Sequence, residues 1–189
     1  MNNSPECPDV LGAEFGRALV AHLGGDPAMI EDDWCWEQFA ENYGHLRARA
    51  EEYLTNAITG DPSWAALGMV HYFGSPRKWA EQVITDARTG NPGGAAYNMF
   101  RHFGSPRKWA EQVITDARTG DPSWAACNMV RYRGSSREWA EQVITNARTG
   151  NPDWAARTMT IYCGSDPAWA EQIKQAAAKR REEEKINGN

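Results

Sequence analysis

The chain has 189 residues, of which 41% are hydrophobic and 24% charged, and its formal net charge is −5. Nine tryptophans exclude an intrinsically disordered chain, and no apolar run approaches the roughly 20 residues that span a bilayer. Residues 1–60 carry 3 basic and 11 acidic side chains, whereas residues 61–150 carry 11 basic and 8 acidic ones. This asymmetry fits a charged partner, self-association of the acidic N-terminal part with the basic repeats, or an ordinary solvated surface.

The N-terminal sixty residues predict a cap for the array that follows. Irregular helices are expected at 8–24 and 27–43, followed by a degenerate first repeat. The chain begins without a basic n-region, so no secretory signal is expected. The cysteines show no paired spacing, which favours reduced thiols and a cytoplasmic location. They are Cys7, Cys35, Cys127 and Cys163.

A thirty-residue repeat occupies residues 61–180 in four rows, and FGSPRKWAEQVITDARTG occurs twice, from Phe73 and from Phe103. Each row opens on Asp-Pro or Asn-Pro, which is a helix N-cap followed by a proline tolerated at the first helical position. Gly-Ser in mid-row ends the first helix and places serine as the cap of the second, and a further glycine ends the second helix. The punctuation predicts a helix of about twelve residues, a turn, a helix of about fourteen and another turn.

The apolar spacing predicts how these hairpins associate. Trp79, Ala80, Val83 and Ile84 share one face of the second helix, and small alanines on the first helix allow close approach. A lone hairpin cannot bury enough apolar surface to offset its ordering entropy, whereas stacked hairpins cover one another. The predicted fold is therefore all-α: an α-solenoid of stacked antiparallel two-helix hairpins, with a right-handed superhelix expected. Residues 181–189 form a charged C-terminal extension.

The pattern resembles HEAT-like repeats, in particular the short repeats of the phycobilisome-lyase type. The resemblance rests on Asp-Pro, a paired alanine in a short helix, and Gly-Ser-Pro-Arg before the second helix, at a thirty-residue period. It covers residues 61–180 clearly and 31–60 weakly. Trp64, Trp124 and Trp154 depart from the family pattern, which has a core aliphatic residue two positions after the proline. The first helix is also shorter than the family's, so the resemblance does not fix the superhelical geometry.

The outer side of the first helices is one candidate binding surface. A helical wheel at 100° per residue places the columns that vary between rows away from the packing alanines. These columns mix aromatic residues with arginine, a composition enriched at protein–protein hot spots. Either they bind a partner, or they vary freely while each tryptophan folds back across the next repeat. The stripe consists of Trp64, His71, Tyr97, Arg101, Trp124, Arg131, Trp154 and Arg157.

The polar side of the second helices is the alternative candidate. In the family that the chain resembles, this side lines the concave surface. A repeated polar ladder there could hold an extended peptide or an acidic segment, or it could be a by-product of duplication. The ladder consists of Lys78, Glu81, Gln82, Lys108, Glu111 and Gln112.

No catalytic, cofactor or metal site is expected. The sequence has no Gly-rich phosphate loop, metal-ligand spacing or Cys/His dyad, and its four histidines are scattered. Glutamates repeated like Glu81 indicate a solvated face rather than acid–base pairs, and Trp79 with its copies indicates core rather than a stacking platform.

The leading functional prediction is a non-enzymatic scaffold that binds another protein or peptide. Nucleic-acid binding through Arg77, Lys78, Arg88, Arg101, Arg131 and their copies is an alternative, which the net charge and the lack of basic clusters in the sequence disfavour. An enzyme related to the bilin lyases is a third possibility, implied only by the shared repeat type.

Overall fold

The structure, a computed structural model, describes residues 13–29 and 36–187, and these contain helices, turns and irregular connections but no strand. Before the repeats, α1 spans Ala13–Leu23, α2 spans Trp36–Tyr43 and α3 spans Arg47–Thr55. Single 3₁₀ turns lie at Pro27–Met29 and Gly44–Leu46. α1 falls within the predicted helix at 8–24, and the 3₁₀ turn Pro27–Met29 and α2 fall within the predicted helix at 27–43. Residues 8–12 and 30–35 of these predictions lie outside the described residues.

The repeats form four consecutive hairpins. Each first helix packs against its own second helix and against the first helices of the neighbouring hairpins, and each of the first three second helices also contacts the first helix that follows it. The prediction of an all-α solenoid of stacked two-helix hairpins is therefore confirmed. Consecutive second helices contact each other far less, which leaves a groove between them. The hairpins are α4 Pro62–Phe73 with α5 Arg77–Asp86, α6 Pro92–Phe103 with α7 Arg107–Asp116, α8 Pro122–Arg133 with α9 Arg137–Asn146, and α10 Pro152–Cys163 with α11 Pro167–Asn187.

The first helices have the predicted twelve residues, but α5, α7 and α9 have ten instead of fourteen. They end early because the next residue is extended; Ala87, for example, has φ −63° and ψ 127°. The predicted serine caps are also wrong. Ser75 is buried and its amide donates to Met69 O at 3.1 Å, so it closes the first helix, and Pro76 occupies the cap position of α5. In α9 the capping side chain is Ser136, one residue later than predicted.

The Asp-Pro and Asn-Pro positions cap the first helices as predicted and also join neighbouring hairpins. Asn91 Oδ1 accepts from the amide of Gly94 at 3.1 Å, inside its own helix, and from the amide of Asp121 at 3.2 Å, thirty residues on. Asp61 accepts from Trp64 and Asn91 in the same way. Gly120 has φ +73°, and a Cβ there would collide with the Asn91 side chain. This turn therefore requires glycine for its conformation and for the close approach.

Two further ladders connect the second helices to their neighbours. The indole Nε1 of Trp109 donates to Thr85 Oγ1 at 3.0 Å. Trp79, Trp139 and Trp169 each donate in the same way to the threonine 24 residues earlier in the chain. Arg77 Nη1 donates to the carbonyl of Gly104, which ends the next first helix, at 2.9 Å. The four tryptophans of the second helices are half-buried and packed against the core. The repeated second helix is thus shaped by contacts to the hairpins on both sides.

The N-terminal helices cover the first hairpin through an aromatic residue. Trp36 in α2 is 2% exposed. Its ring packs so closely against Gly68 of α4 that a Cβ on this glycine would lie only 2.6 Å from the nearest ring atom. Phe39 and Phe73 pack around the ring with centroid distances of 5.7 and 6.4 Å. Gly68 replaces the asparagine found at this position in the next two hairpins, and the missing side chain makes room for the cap.

Candidate functional site

Part of the predicted stripe on the first helices is an interface between hairpins rather than a free surface. Tyr97 is 2% exposed, and its ring meets Trp124 of the next hairpin edge-on at a centroid distance of 5.4 Å. The prediction of Tyr97 as a surface contact is therefore wrong, because the following hairpin covers this column of the first helix. Trp64 and Trp124 are half-buried for the same reason.

The last hairpin exposes the stripe because nothing stacks on its forward face among the described residues. Trp154 is 43% exposed and Arg157 is exposed, although their counterparts in earlier hairpins are wholly or partly covered. Of the remaining predicted stripe residues, His71, Arg101 and Arg131 are exposed. They lie in the last turns of α4, α6 and α8, so they belong to an edge of the array rather than to its face.

This edge collects the positive charge of the repeats. The last turns of the first helices and the first turns of the second helices meet there, as the bond from Arg77 to Gly104 shows. Eight cationic side chains and two acidic ones, Glu138 and Asp166, lie in the four turns of this edge. These turns are residues 70–79, 100–109, 130–139 and 160–169. We call this surface the basic edge. Its cations are Arg77, Lys78, Arg101, Arg107, Lys108, Arg131, Arg133 and Arg137.

Most of these cations belong to the set named above as candidate nucleic-acid contacts, but the sequence does not show that they share one edge, because their charges are spread over sixty residues. The fold brings them together by stacking equivalent turns. At the opposite edge, residues 84–93, 114–123 and 144–153 carry three arginines, at 88, 118 and 148, and four aspartates. The array is therefore polarised from edge to edge, although the whole chain is acidic.

Some arginines of the basic edge are held in place by the protein. Arg77 pairs with Glu81 at 3.3 Å (Nε to Oε1), as its i,i+4 spacing predicts, while its Nη1 bonds the Gly104 carbonyl. By contrast, no hydrogen bond or ion pair within the described residues engages Lys78, Arg101 or Lys108. These three exposed side chains carry charge that the fold leaves without a counter-charge.

Aromatic rings lie between the cations of the basic edge. The Arg131 guanidinium is 4.0 Å from the ring centroid of Tyr162 and 4.8 Å from that of Tyr132, and the two tyrosines are 60% and 53% exposed. Further along, His71 and Phe103 meet at a centroid distance of 5.9 Å. Exposed rings and a cation thus adjoin across the last two hairpins.

The positive charge of the basic edge affects the pKa of His102. Partial burial, followed by the positive charges of Arg101 and Arg133 and the neighbouring His71, holds the pKa of His102 below its usual value of 6.5. Its Nε2 is buried without a hydrogen-bond partner among the described residues. His102 is therefore neutral at pH 7, and a bound anion would favour its protonation.

The grooves between second helices form a second candidate site. The first inter-hairpin groove, between α5 and α7, has a volume of about 640 Å³, and the second, between α7 and α9, has about 110 Å³. Trp109 and Trp139 form equivalent walls, each fixed by its bond to a threonine of the preceding hairpin. The first groove has an apolar floor that includes Ile84 and Val113, with Gln112 and charged residues at its rim.

The predicted polar ladder does not form one continuous surface. Gln112 lines the first inter-hairpin groove and donates to Asp116 at 2.6 Å, and Gln82 bonds Asp86 in the same way. Glu111 instead accepts from Ser135 Oγ at 2.6 Å, so it joins two hairpins, and Glu81 is paired with Arg77. Lys78 and Lys108 belong to the basic edge. The ladder is thus divided between groove, hairpin contact and edge.

The described residues offer little other chemistry. No group of three or more His, Cys, Asp or Glu side chains there could hold a metal ion, and no helix there is long and apolar enough to cross a membrane. Burial, reinforced by the nearby Cys163, raises the pKa of Cys127 to about 12, so this thiol is protonated at neutral pH. No protein-family model, no curated protein and no solved structure matches this sequence.

Proposed function

We propose that the chain is a non-enzymatic helical-repeat scaffold of the HEAT-like type that binds an extended segment of another protein. The observation that carries the proposal is the inter-hairpin groove, which recurs at the same place between successive second helices. A peptide lying across the array would meet the larger groove between α5 and α7 and the smaller one between α7 and α9. Solenoids commonly bind partners along such repeated surfaces.

The groove has the composition that a peptide side chain would need. Its floor is apolar, and its aromatic wall at Trp109 is immobilised by the bond to Thr85 Oγ1. A wall that is already fixed loses little entropy when it binds a ligand. Gln112, Asp86 and Arg118 supply hydrogen-bonding groups at the rim, so an apolar anchor with polar neighbours is the expected ligand.

A charge placed in the groove tests the proposal. Peptides selected from a random display library on the wild-type chain would be synthesised with a fluorophore, and their dissociation constants measured by anisotropy. We expect Gln112→Arg to weaken binding at least about tenfold, because an arginine would project over the apolar floor. Gln82→Arg is the matched control, since Gln82 is the same helix position on α5 and lines neither inter-hairpin groove.

Both substituted positions are exposed, so circular dichroism and thermal unfolding should remain at the wild-type level. Equal losses for the two variants would contradict the groove as the binding site. A selection that returns no peptide with a dissociation constant below about 1 mM would contradict peptide binding itself.

A further inference from the structure

The basic edge carries more unopposed charge than the array needs for its own stability. Arg77, Arg107 and Arg137 each donate to the carbonyl of the glycine that ends the next first helix, so they have a structural role. Lys78 and Lys108 have no such role among the described residues. Like charges gathered without counter-ions repel one another, and a bound anion would relieve that repulsion.

The exposed rings at the same edge narrow the choice of anion. Tyr132 and Tyr162 are more than half exposed. Arg131 lies against both rings and presents a flat guanidinium beside them. The last two hairpins thus present flat cationic and aromatic groups, and the first two present lysines. Together they offer stacking surfaces and phosphate contacts, which is the combination used to bind single strands.

We propose that the basic edge binds single-stranded nucleic acid, with phosphates at Lys78, Arg101, Lys108 and Arg131 and bases stacked on Tyr132 and Tyr162. An acidic polypeptide would use the cations but would have no use for the exposed rings. A double helix would also use the cations, but its bases are stacked inside the duplex and could not stack on the exposed rings. The proposal is independent of peptide binding in the inter-hairpin grooves, which lie along the second helices.

Binding should be coupled to protonation of His102. The groups that face its imidazole are Arg101, Arg133 and His71, all of which oppose its positive charge. Phosphates bound at the basic edge would offset these charges and raise the pKa of His102. The His102 ring resonances, followed by NMR against pH with and without a bound oligonucleotide, should therefore titrate at higher pH in the complex.

In the main test, the full chain is titrated into fluorescent fifteen-nucleotide oligo(dT) or oligo(U). Binding is measured by fluorescence anisotropy between 50 and 200 mM NaCl. Four phosphate contacts predict a slope of log K against log salt near −3, which corresponds to about 50-fold weaker binding across this range. Arg101→Gln with Lys108→Gln should weaken binding at least about tenfold and reduce the slope to about half. Tyr132→Leu should weaken binding about tenfold with the slope unchanged, because it removes stacking and no charge.

The matched control is Arg88→Gln with Arg118→Gln, which removes the same charge from the opposite edge and should change affinity by less than about twofold. An equal loss in this control would overturn the proposal, since net charge alone would explain the binding. Poly-L-glutamate that competes as well per charge as unlabelled oligonucleotide, or a Tyr132→Leu variant that binds normally, would overturn it in favour of an acidic polypeptide. No binding of either oligonucleotide at 50 mM NaCl would also overturn it.

Discussion

The Asn91 side chain caps its own helix and also bonds the next hairpin. Replacing Asn91 by alanine tests how much such a shared cap contributes to the stability of the array. The Asn91 side chain accepts two backbone bonds, one from Gly94 at the start of its own helix and one from Asp121 in the next hairpin. Alanine removes the Oδ1 atom that accepts both bonds, and it leaves space beside Gly120, which packs against this side chain. The variant therefore affects a helix end and an interface between hairpins at once.

The magnitude follows from the two bonds. Loss of an N-cap costs about 1 kcal/mol, and loss of a second hydrogen bond costs about 1 kcal/mol more, or up to about 3 kcal/mol if the Asp121 amide stays buried without a partner. We expect the free energy of unfolding to fall by about 2–4 kcal/mol. This is a large fraction of the usual total for a folded domain, about 5–15 kcal/mol.

Urea unfolding followed by circular dichroism at 222 nm measures the loss. Asp166→Ala is the control, because the Asp166 side chain accepts, among the described residues, only the local amide of Ala168, at 2.8 Å. Its loss should cost no more than about 1 kcal/mol. Asn91→Asp should stay within about 0.5 kcal/mol of the wild type, since Asp61 and Asp121 make the same bonds. If Asn91→Ala costs no more than Asp166→Ala, the bond between hairpins contributes nothing and the reasoning is refuted.

Three further outcomes are expected. Gly68→Ala should lower the free energy of unfolding, measured in urea, by about 1–3 kcal/mol, because the new Cβ would press into the Trp36 ring. Gly44→Ala is the control, since nothing lies near its added Cβ, and equal effects of the two variants would contradict the docking of α2 on α4. Thr85→Val should cost about 0.5–1 kcal/mol by the same assay, because the Trp109 indole loses an acceptor in a site that water can reach, and Thr85→Ser should restore most of it. The pKa of His102 lies below its value in the unfolded chain, so the unfolded state binds more protons and the free energy of unfolding should fall from pH 7 to pH 5; His102→Asn should reduce that slope, and an unchanged slope would contradict the assignment.

Much of the architecture could be predicted because its signals are local. The Asp-Pro and Asn-Pro caps, and the glycines after the first helices, occupy the predicted places, and Gly74 has the left-handed φ of 64° expected of a helix-ending glycine. Capping and helical periodicity act over a few residues, so one row of the repeat is enough to reveal them. The errors also have local causes: Ser75 is drawn into the end of the first helix, and the extended Ala87 shortens the second.

The candidate surfaces could not be predicted in the same way. A helical wheel separates the two faces of one helix, but it does not say which face the next hairpin will cover. Tyr97 and Arg101 lie four residues apart in the same predicted stripe, yet Tyr97 is buried between hairpins and Arg101 is exposed at the edge. The difference depends on the rotation of one hairpin against the next, which is set by packing across thirty residues.

The sequence by itself therefore determined the repeat period, the all-α hairpins and their stacking, because these follow from caps and apolar spacing within each row. Only the tertiary structure decided which side chains remain outside, where the inter-hairpin grooves lie and that eight scattered cations share one edge. The physical reason is that burial and electrostatic fields depend on distances in space. Those distances are fixed by the contacts between hairpins, and no single row of the repeat contains them.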